Sequence, residues 1–250
     1  MTGVLGTKVA APQQYAPDIL ERIDRHSGRE GIDNASRYVS TGHDIWHCYE
    51  LSWLLPGENV SYLVGALIIP ASSAYTVESK SLKLYLNSLN AHEFVSDEAA
   101  VSCVEADLST LTGAKVTLTT TDPSALNVST VPLSDVQITP RDTKGTEIYR
   151  CSGFRSLCPV TAQPDWASLC IEMSSAAYDQ REVERAIASL RNHQGFHEQC
   201  VEDLYSRLEN ALLPAELHVV GFFQRRGGVD ITPWRSSAAL PPCLTRLYEQ

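Results

Sequence analysis

Two runs rich in β-branched and aromatic residues, 44–55 and 60–70, are separated by Pro56-Gly57, and this pairing predicts a β-hairpin. A helical pattern takes over next. Leu82, Tyr85, Leu86 and Leu89 fall on one face, which predicts a helix over 79–90, and a second helix is expected over 97–111, stopping at Gly113. A strand over 115–120 closes this group.

The same order then returns, with strands near 147–154 and 168–173, helices over 179–191 and 196–213, and strands near 216–224 and 229–234. Two successive β-β-α-α-β units imply a duplication of topology, although no residue repeat accompanies it. The expected fold class is α+β, with antiparallel sheets carrying helices on one face. Residues 1–40 read as an arm over the core with one short helix over 18–26, and 121–144, rich in Ser, Thr and Pro, as the connection between halves. The expected division is an arm (1–40), a first module (41–140) and a second module (141–250) that carries the chemistry.

Composition narrows the function classes. The chain has 250 residues, 43% hydrophobic and 20% charged, enough for a full core without disulfides. Its longest apolar run, 62–71, is too short to span a bilayer, and no charged-then-apolar leader precedes Gln13, so a cytoplasmic protein free of membranes is expected. The formal net charge of −10 disfavours broad attraction to phosphate backbones, so the expected partner is a small molecule and not nucleic acid. Seven cysteines without a Cys-x-x-Cys pair fit neither a secreted disulfide framework nor a zinc knuckle.

The most informative stretch is Arg155-Ser156-Leu157-Cys158-Pro159-Val160-Thr161-Ala162-Gln163-Pro164-Asp165-Trp166, read as a loop in which two prolines stiffen the backbone around one cysteine. A thiol held this way can be a nucleophile, with Asp165 as proton donor or acceptor if the loop folds back. Spacing alone favours a plainer reading, a buried cysteine in a proline-rich turn.

That stretch, with Glu78-Ser79-Lys80-Ser81-Leu82-Lys83-Leu84-Tyr85-Leu86-Asn87-Ser88, Phe196-His197-Glu198-Gln199-Cys200 and Arg225-Arg226-Gly227-Gly228-Val229-Asp230-Ile231-Thr232-Pro233-Trp234-Arg235, resembles the NADPH-dependent 7-cyano-7-deazaguanine reductases of the queuosine pathway. Asp44-Ile45-Trp46 and Tyr49-Glu50-Leu51-Ser52-Trp53 extend the resemblance into the first half; it fades over 1–40 and 121–145. It implies the long, two-module branch, built from tandem tunnelling-fold units, and a homodimer. It also implies a nitrile-to-amine reduction with two NADPH, in which Cys158 forms a covalent thioimide and Asp165 delivers a proton. Val77, Glu78, Ser79, Phe196, His197 and Glu198 would bind the base. A carboxylate offers two acceptor oxygens to an amide N–H and an exocyclic amine, which suits Glu78 and Glu198 to that task.

No Gly-x-Gly-x-x-Gly follows a strand, so the cofactor is not expected on a Rossmann domain. The resemblance places it at Ser79, Lys80 and Lys83 and at Arg226-Gly227, where cations, helix-start amides and glycines could meet its phosphates. Cys200 shares a helical face with His197, and a reversible Cys158–Cys200 disulfide would shield the nucleophile. Three rival readings stand beside the reductase. One is an amidinotransferase-like relative acting on the same nitrile, and another is a zinc cyclohydrolase of the same fold with Cys158, Cys200 and His197 as ligands, although no metal site is expected from ligand spacing. The third is a non-enzymatic binding protein.

Overall fold

The computed structural model describes residues 12, 14–32, 41–57, 59–122, 130–139, 145–248 and 250. Residues 1–11, 13 and 33–40 of the expected arm, and 123–129 and 140–144 of the expected connection, lie outside the described residues. In chain order the elements are β1 (Arg22–Asp24), α1 (Arg25–Arg29), β2 (Gly42–Leu55), β3 (Asn59–Pro70), β4 (Tyr75–Val77), α2 (Ser79–Ser88), α3 (Asp97–Thr112) and β5 (Thr117–Thr121). They continue with β6 (Thr146–Leu157), β7 (Pro164–Ser174), α4 (Gln180–Ser189), α5 (His197–Leu212), β8 (Leu217–Phe223) and β9 (Val229–Ser236). Strand pairings are antiparallel, as the α+β reading expects.

Two compact units divide these elements. The first contains Met1–Arg25, Trp46–Asn127 and Arg226–Asp230. Its strands run in the order β5-β3-β2, with a separate two-stranded ribbon of β1 and β4, and α3 packs on β4 and β5. Trp53, Leu67, Ile69, Tyr85 and Leu108 are its buried apolar centre. The second contains His26–Ile45, Val128–Arg225 and Ile231–Gln250. Here the order is β9-β8-β7-β6, and α5 packs on β8 and α4. Every residue of β8 is buried, as expected of an interior strand covered on both faces.

Local chemistry explains most boundaries. Ser96 caps α3 by accepting the Ala99 N–H at 3.2 Å, and Gly113 ends it in the left-handed conformation (φ 72°), the stop its sequence announces. Asp179 caps α4 through the Arg181 N–H at 2.9 Å. The expected helix over 18–26 does not form. A 3-10 turn over Pro17–Ile19 leads instead into β1, whose pairing with β4 takes the backbone groups that a helix would have used. β4 itself escapes sequence reading because three residues carry no periodicity.

In the second unit a buried ion network joins β9 to α5. Arg235, fully buried, donates to Asp44 Oδ1 at 2.9 Å and to Glu202 Oε1 at 2.7 Å, and Arg29 of α1 reaches the same Glu202 at 2.6 Å. Charges removed from water survive only when paired this completely. Arg235→Ala removes the guanidinium from this bond to Asp44 and from Glu202; urea unfolding should show a loss of about 3–5 kcal/mol.

Candidate active site

The β6–β7 hairpin positions Cys158, the expected nucleophile. β6 extends to Leu157 and β7 starts at Pro164, so the loop is 158–163, tighter than the 155–166 its composition suggests. Proline explains the difference, since it is tolerated as the first residue of a strand, where no ladder N–H is needed. The Cys158 N–H donates to the Gln163 carbonyl at 2.9 Å and the Cys158 carbonyl accepts from the Ala162 N–H at 3.0 Å, closing the loop on the cysteine's own backbone. Ala162 takes φ 55° to allow this, a left-handed conformation uncommon for a residue with a side chain. Pro159 confines Cys158 itself to extended backbone. The cysteine is half-buried.

A third segment braces the loop from outside the hairpin. Leu157 donates its N–H to His193 at 2.9 Å and accepts from Gly195 at 3.1 Å, while Arg155 reaches the Arg191 carbonyl at 2.7 Å and Asn192 Oδ1 at 3.0 Å. The residues before α5 are thereby tied to the strand that ends at Cys158. Phe196 has no side-chain acceptor for capping, and Gln199 Oε1 reaches back to its N–H at 3.0 Å.

Asp165 faces Ser156 across the hairpin and is buried, whereas Trp166 beside it is exposed. His197 Nε2 lies 3.6 Å from Asp165 Oδ2, ion-pair range but longer than a hydrogen bond, and its ring meets Phe223 edge-on at 4.4 Å. Glu198 is buried and Phe196 half-buried. The second unit therefore carries Cys158, Asp165, Phe196, His197 and Glu198 together. Cys200 is also here, a free thiol like Cys158, and its sulfur donates to the Gly195 carbonyl at 3.7 Å.

Val77, Glu78, Ser79, Lys80, Lys83, Arg226 and Gly227 belong to the first unit. Glu78 is buried and caps α2 with both carboxylate oxygens, Oε1 accepting from the Lys80 N–H and Oε2 from the Ser81 N–H, each at 2.8 Å. The helix-start amides expected to meet a phosphate are thus committed to Glu78. What this turn offers a polyanion is the cationic side chains of Lys80 and Lys83. Capping also fixes the carboxylate, and the Ser79 hydroxyl adds a second bond to Oε1 at 3.3 Å.

Arg226 and Val229 bond reciprocally around Gly227 and Gly228, both at positive φ (56° and 83°), which makes a tight hairpin turn. A Cβ on Gly227 would press on the Lys83 stem at 3.2 Å and one on Gly228 would collide with the Glu50 carboxylate, so both glycines are needed for close approach. Lys83, Asn87, Cys48, Glu50, Gly227 and Gly228 line a cleft of about 180 Å³. Behind the turn, buried Asp230 accepts from His47 Nδ1 at 2.8 Å and from the Tyr49 hydroxyl. A lysine beside a glycine turn fits part of a phosphate-bearing dinucleotide. Glu50, Asn87 and Asp230 were not singled out by sequence although all three lie inside motifs quoted above; the available signal was the charge of Asp230 just after the glycine turn.

Among the described residues no group of three or more His, Cys, Asp or Glu side chains could hold a metal ion, and no helix is long and apolar enough to cross a membrane.

Comparisons with known proteins come from both halves. A family model described as nitrile reductase, 7-cyano-7-deazaguanine-reductase N-term, matches residues 11–120, and one described as QueF-like protein matches 164–241. The chain is 36% identical to the NADPH-dependent 7-cyano-7-deazaguanine reductase of Acinetobacter baylyi, covering 94% of this chain and 93% of that one. It is 38% identical to the enzyme of the same name from Xanthomonas campestris pv. campestris, over 96% and 94% of the two chains. Among solved structures, an archaeosine synthase QueF-Like in the apo form aligns with a TM-score of 0.36 and 21% identity, over 40% of this chain and 99% of that one.

Burial separates the thiols. Cys48, Cys170 and Cys200 are enclosed, and that burial pushes each up to about 12. Brief iodoacetamide treatment of the native protein near neutral pH should therefore label Cys158 while sparing these three. Peptide mass mapping reads the outcome.

Proposed function

The chain belongs to the family of NADPH-dependent 7-cyano-7-deazaguanine reductases, and from that premise we propose that it reduces the nitrile of 7-cyano-7-deazaguanine to the amine of 7-aminomethyl-7-deazaguanine in queuosine biosynthesis. The change from nitrile to primary amine takes up two hydrides and two protons. NADPH, when bound, supplies the hydrides, one from each of two molecules.

The protein's own residues make the carbon receptive. Cys158 Sγ adds to the nitrile carbon, the sulfur giving up its proton and the nitrogen gaining one from Asp165, to leave a neutral thioimide. The protonated C=N of the thioimide leaves its carbon electrophilic enough to take the first hydride; the C–S bond then breaks, the thiolate leaves and takes up a proton to return as the thiol, and an imine remains for the second hydride. Holding that imine away from water prevents its hydrolysis. Glu78 and Glu198 accept N–H groups of the base, with Val77, Ser79, Phe196 and His197 completing its surroundings. Ser79, Lys80, Lys83, Arg226 and Gly227 hold the reductant, Lys83 and the glycine turn through the cleft they share. The same reading makes the enzyme a cytoplasmic homodimer that acts on the free base and binds neither nucleic acid nor membrane directly.

The observation that carries this reading is the placement of a half-buried thiol in a loop closed on its own backbone, with a buried carboxylate at the start of the returning strand and an imidazole beside it. Cys158→Ala should abolish both the covalent mass adduct with the nitrile base and base-dependent NADPH oxidation. NADPH oxidation that persists in this variant would overturn the mechanism. Asp165→Asn should keep base binding and slow adduct formation by about 10²–10⁴-fold, the range of general acid catalysis. Lys83→Ala should raise KM for NADPH about tenfold to hundredfold by removing a charge-assisted contact, with the adduct rate unchanged.

A further inference from the structure

The chain just before β1 lies along α2 and bonds to both of its ends. Tyr15 donates its hydroxyl to Asp107 Oδ2 at 2.5 Å, next to the Tyr85 hydroxyl of α2, which reaches the same oxygen at 2.6 Å. Ala16 donates its N–H to Ser88 Oγ at 3.2 Å, at the last turn of α2, and Glu21 donates to Ser81 Oγ at 3.0 Å, at the first. The Glu21 carbonyl then accepts the Glu78 N–H at 2.8 Å. Beyond it β1 pairs with β4, setting Arg22 opposite Val77, and the Arg22 guanidinium lies 4.3 Å from the centre of the Tyr75 ring.

Glu78 is therefore held twice, its carboxylate by the amides it caps and its backbone by Glu21. Among the described residues β4 pairs only in the ribbon with β1, and a three-residue ribbon does not stand alone in water. Beside the packing of α3 on β4, the flanking contacts of residues 15–24 hold it in order, of which the shared Asp107 carboxylate is the farthest along the chain. Burial first, and then the bond to Asp107, keep both phenols protonated, so both donate throughout the physiological range.

We propose that residues 15–24 are a positioning strap that holds Val77 and Glu78 in the geometry the base requires, with Tyr15 as the residue that fastens it. The inference rests on the reading of Glu78 as a base-binding carboxylate. A strap of this kind acts before chemistry, because it places in the folded protein an ordering cost that would otherwise fall on binding.

The test uses the full chain with Tyr15→Phe, which deletes one bond, and Tyr15→Asp, which sets a second carboxylate against Asp107 and pries the segment away. Base affinity, by titration of the nitrile base, should weaken about threefold to tenfold in Tyr15→Phe and further in Tyr15→Asp. The adduct rate at saturating base should stay within about twofold of the parent, since no reacting atom is touched. Hydrogen exchange over 76–81 should speed up in the free variants and recover when base is saturating, as reciprocal coupling requires. Unchanged affinity in Tyr15→Asp overturns the proposal, whether or not exchange over 76–81 responds. A saturated adduct rate that falls as steeply as affinity overturns it too, because that is the mark of general unfolding. Glu78→Gln tests the underlying reading separately: if that variant binds base as well as the parent, the role given to Glu78 fails, whatever the Tyr15 variants do.

Discussion

Ser156 sits opposite Asp165 across the β6–β7 hairpin, and the chemistry proposed for the second unit depends on that register. Side chains alternate across a strand, so a slip of one residue would exchange buried Asp165 with exposed Trp166 and present an indole where the carboxylate stands. The register is held at the loop end from two sides. At the loop the Cys158 backbone bonds to Gln163 and Ala162, and outside the hairpin Leu157 bonds to His193 and Gly195. Those same residues lead into α5, so the strand end at Cys158 is hydrogen-bonded to the segment that opens the helix of His197 and Glu198. Further along β6, a register shift between Cys151 and Phe154 is absorbed at Gly153 (φ 75°), leaving the pairing near the loop regular.

Acidic side chains do much of the internal fastening, which gives the excess of acidic residues a structural meaning. Glu78 caps α2, Asp107 receives two tyrosine hydroxyls, and Asp230 backs the glycine turn. Glu172 gathers the Ile138 and Thr139 amides onto β7, and Glu202 with Asp44 encloses Arg235. A net charge of −10 would repel a polyphosphate if all of it faced solvent. Committing these carboxylates to partners inside the protein reduces the negative charge that would face such a ligand.

The order of elements was legible from hydrophobic pattern and punctuation. Pro56-Gly57 marked the first hairpin, Gly113 ended α3 in a left-handed turn, and the later helices and strands formed within a few residues of their expected limits. Reading failed where pairing partners are distant in sequence. Residues 22–24 became a strand because Tyr75–Val77 lies beside them, and the loop at Cys158 shrank because β6 and β7 continue pairing almost to the cysteine. The candidate residues were visible as motifs, yet the capping role of Glu78 was not, and it removed the Lys80 and Ser81 amides from the list of phosphate donors.

From the sequence alone came the α+β class, the family resemblance, and the identity of the thiol, carboxylates and cations, because these rest on residue type and short-range spacing. Tertiary structure alone decided which amides remain for a ligand, which thiols are enclosed, how Glu50 and Asp230 meet the glycine turn, and that residues 15–24 bind α2 at both ends. The physical reason is common to all four. Burial and hydrogen bonding are settled between groups far apart along the chain, and local sequence carries no record of which distant group takes each donor and acceptor.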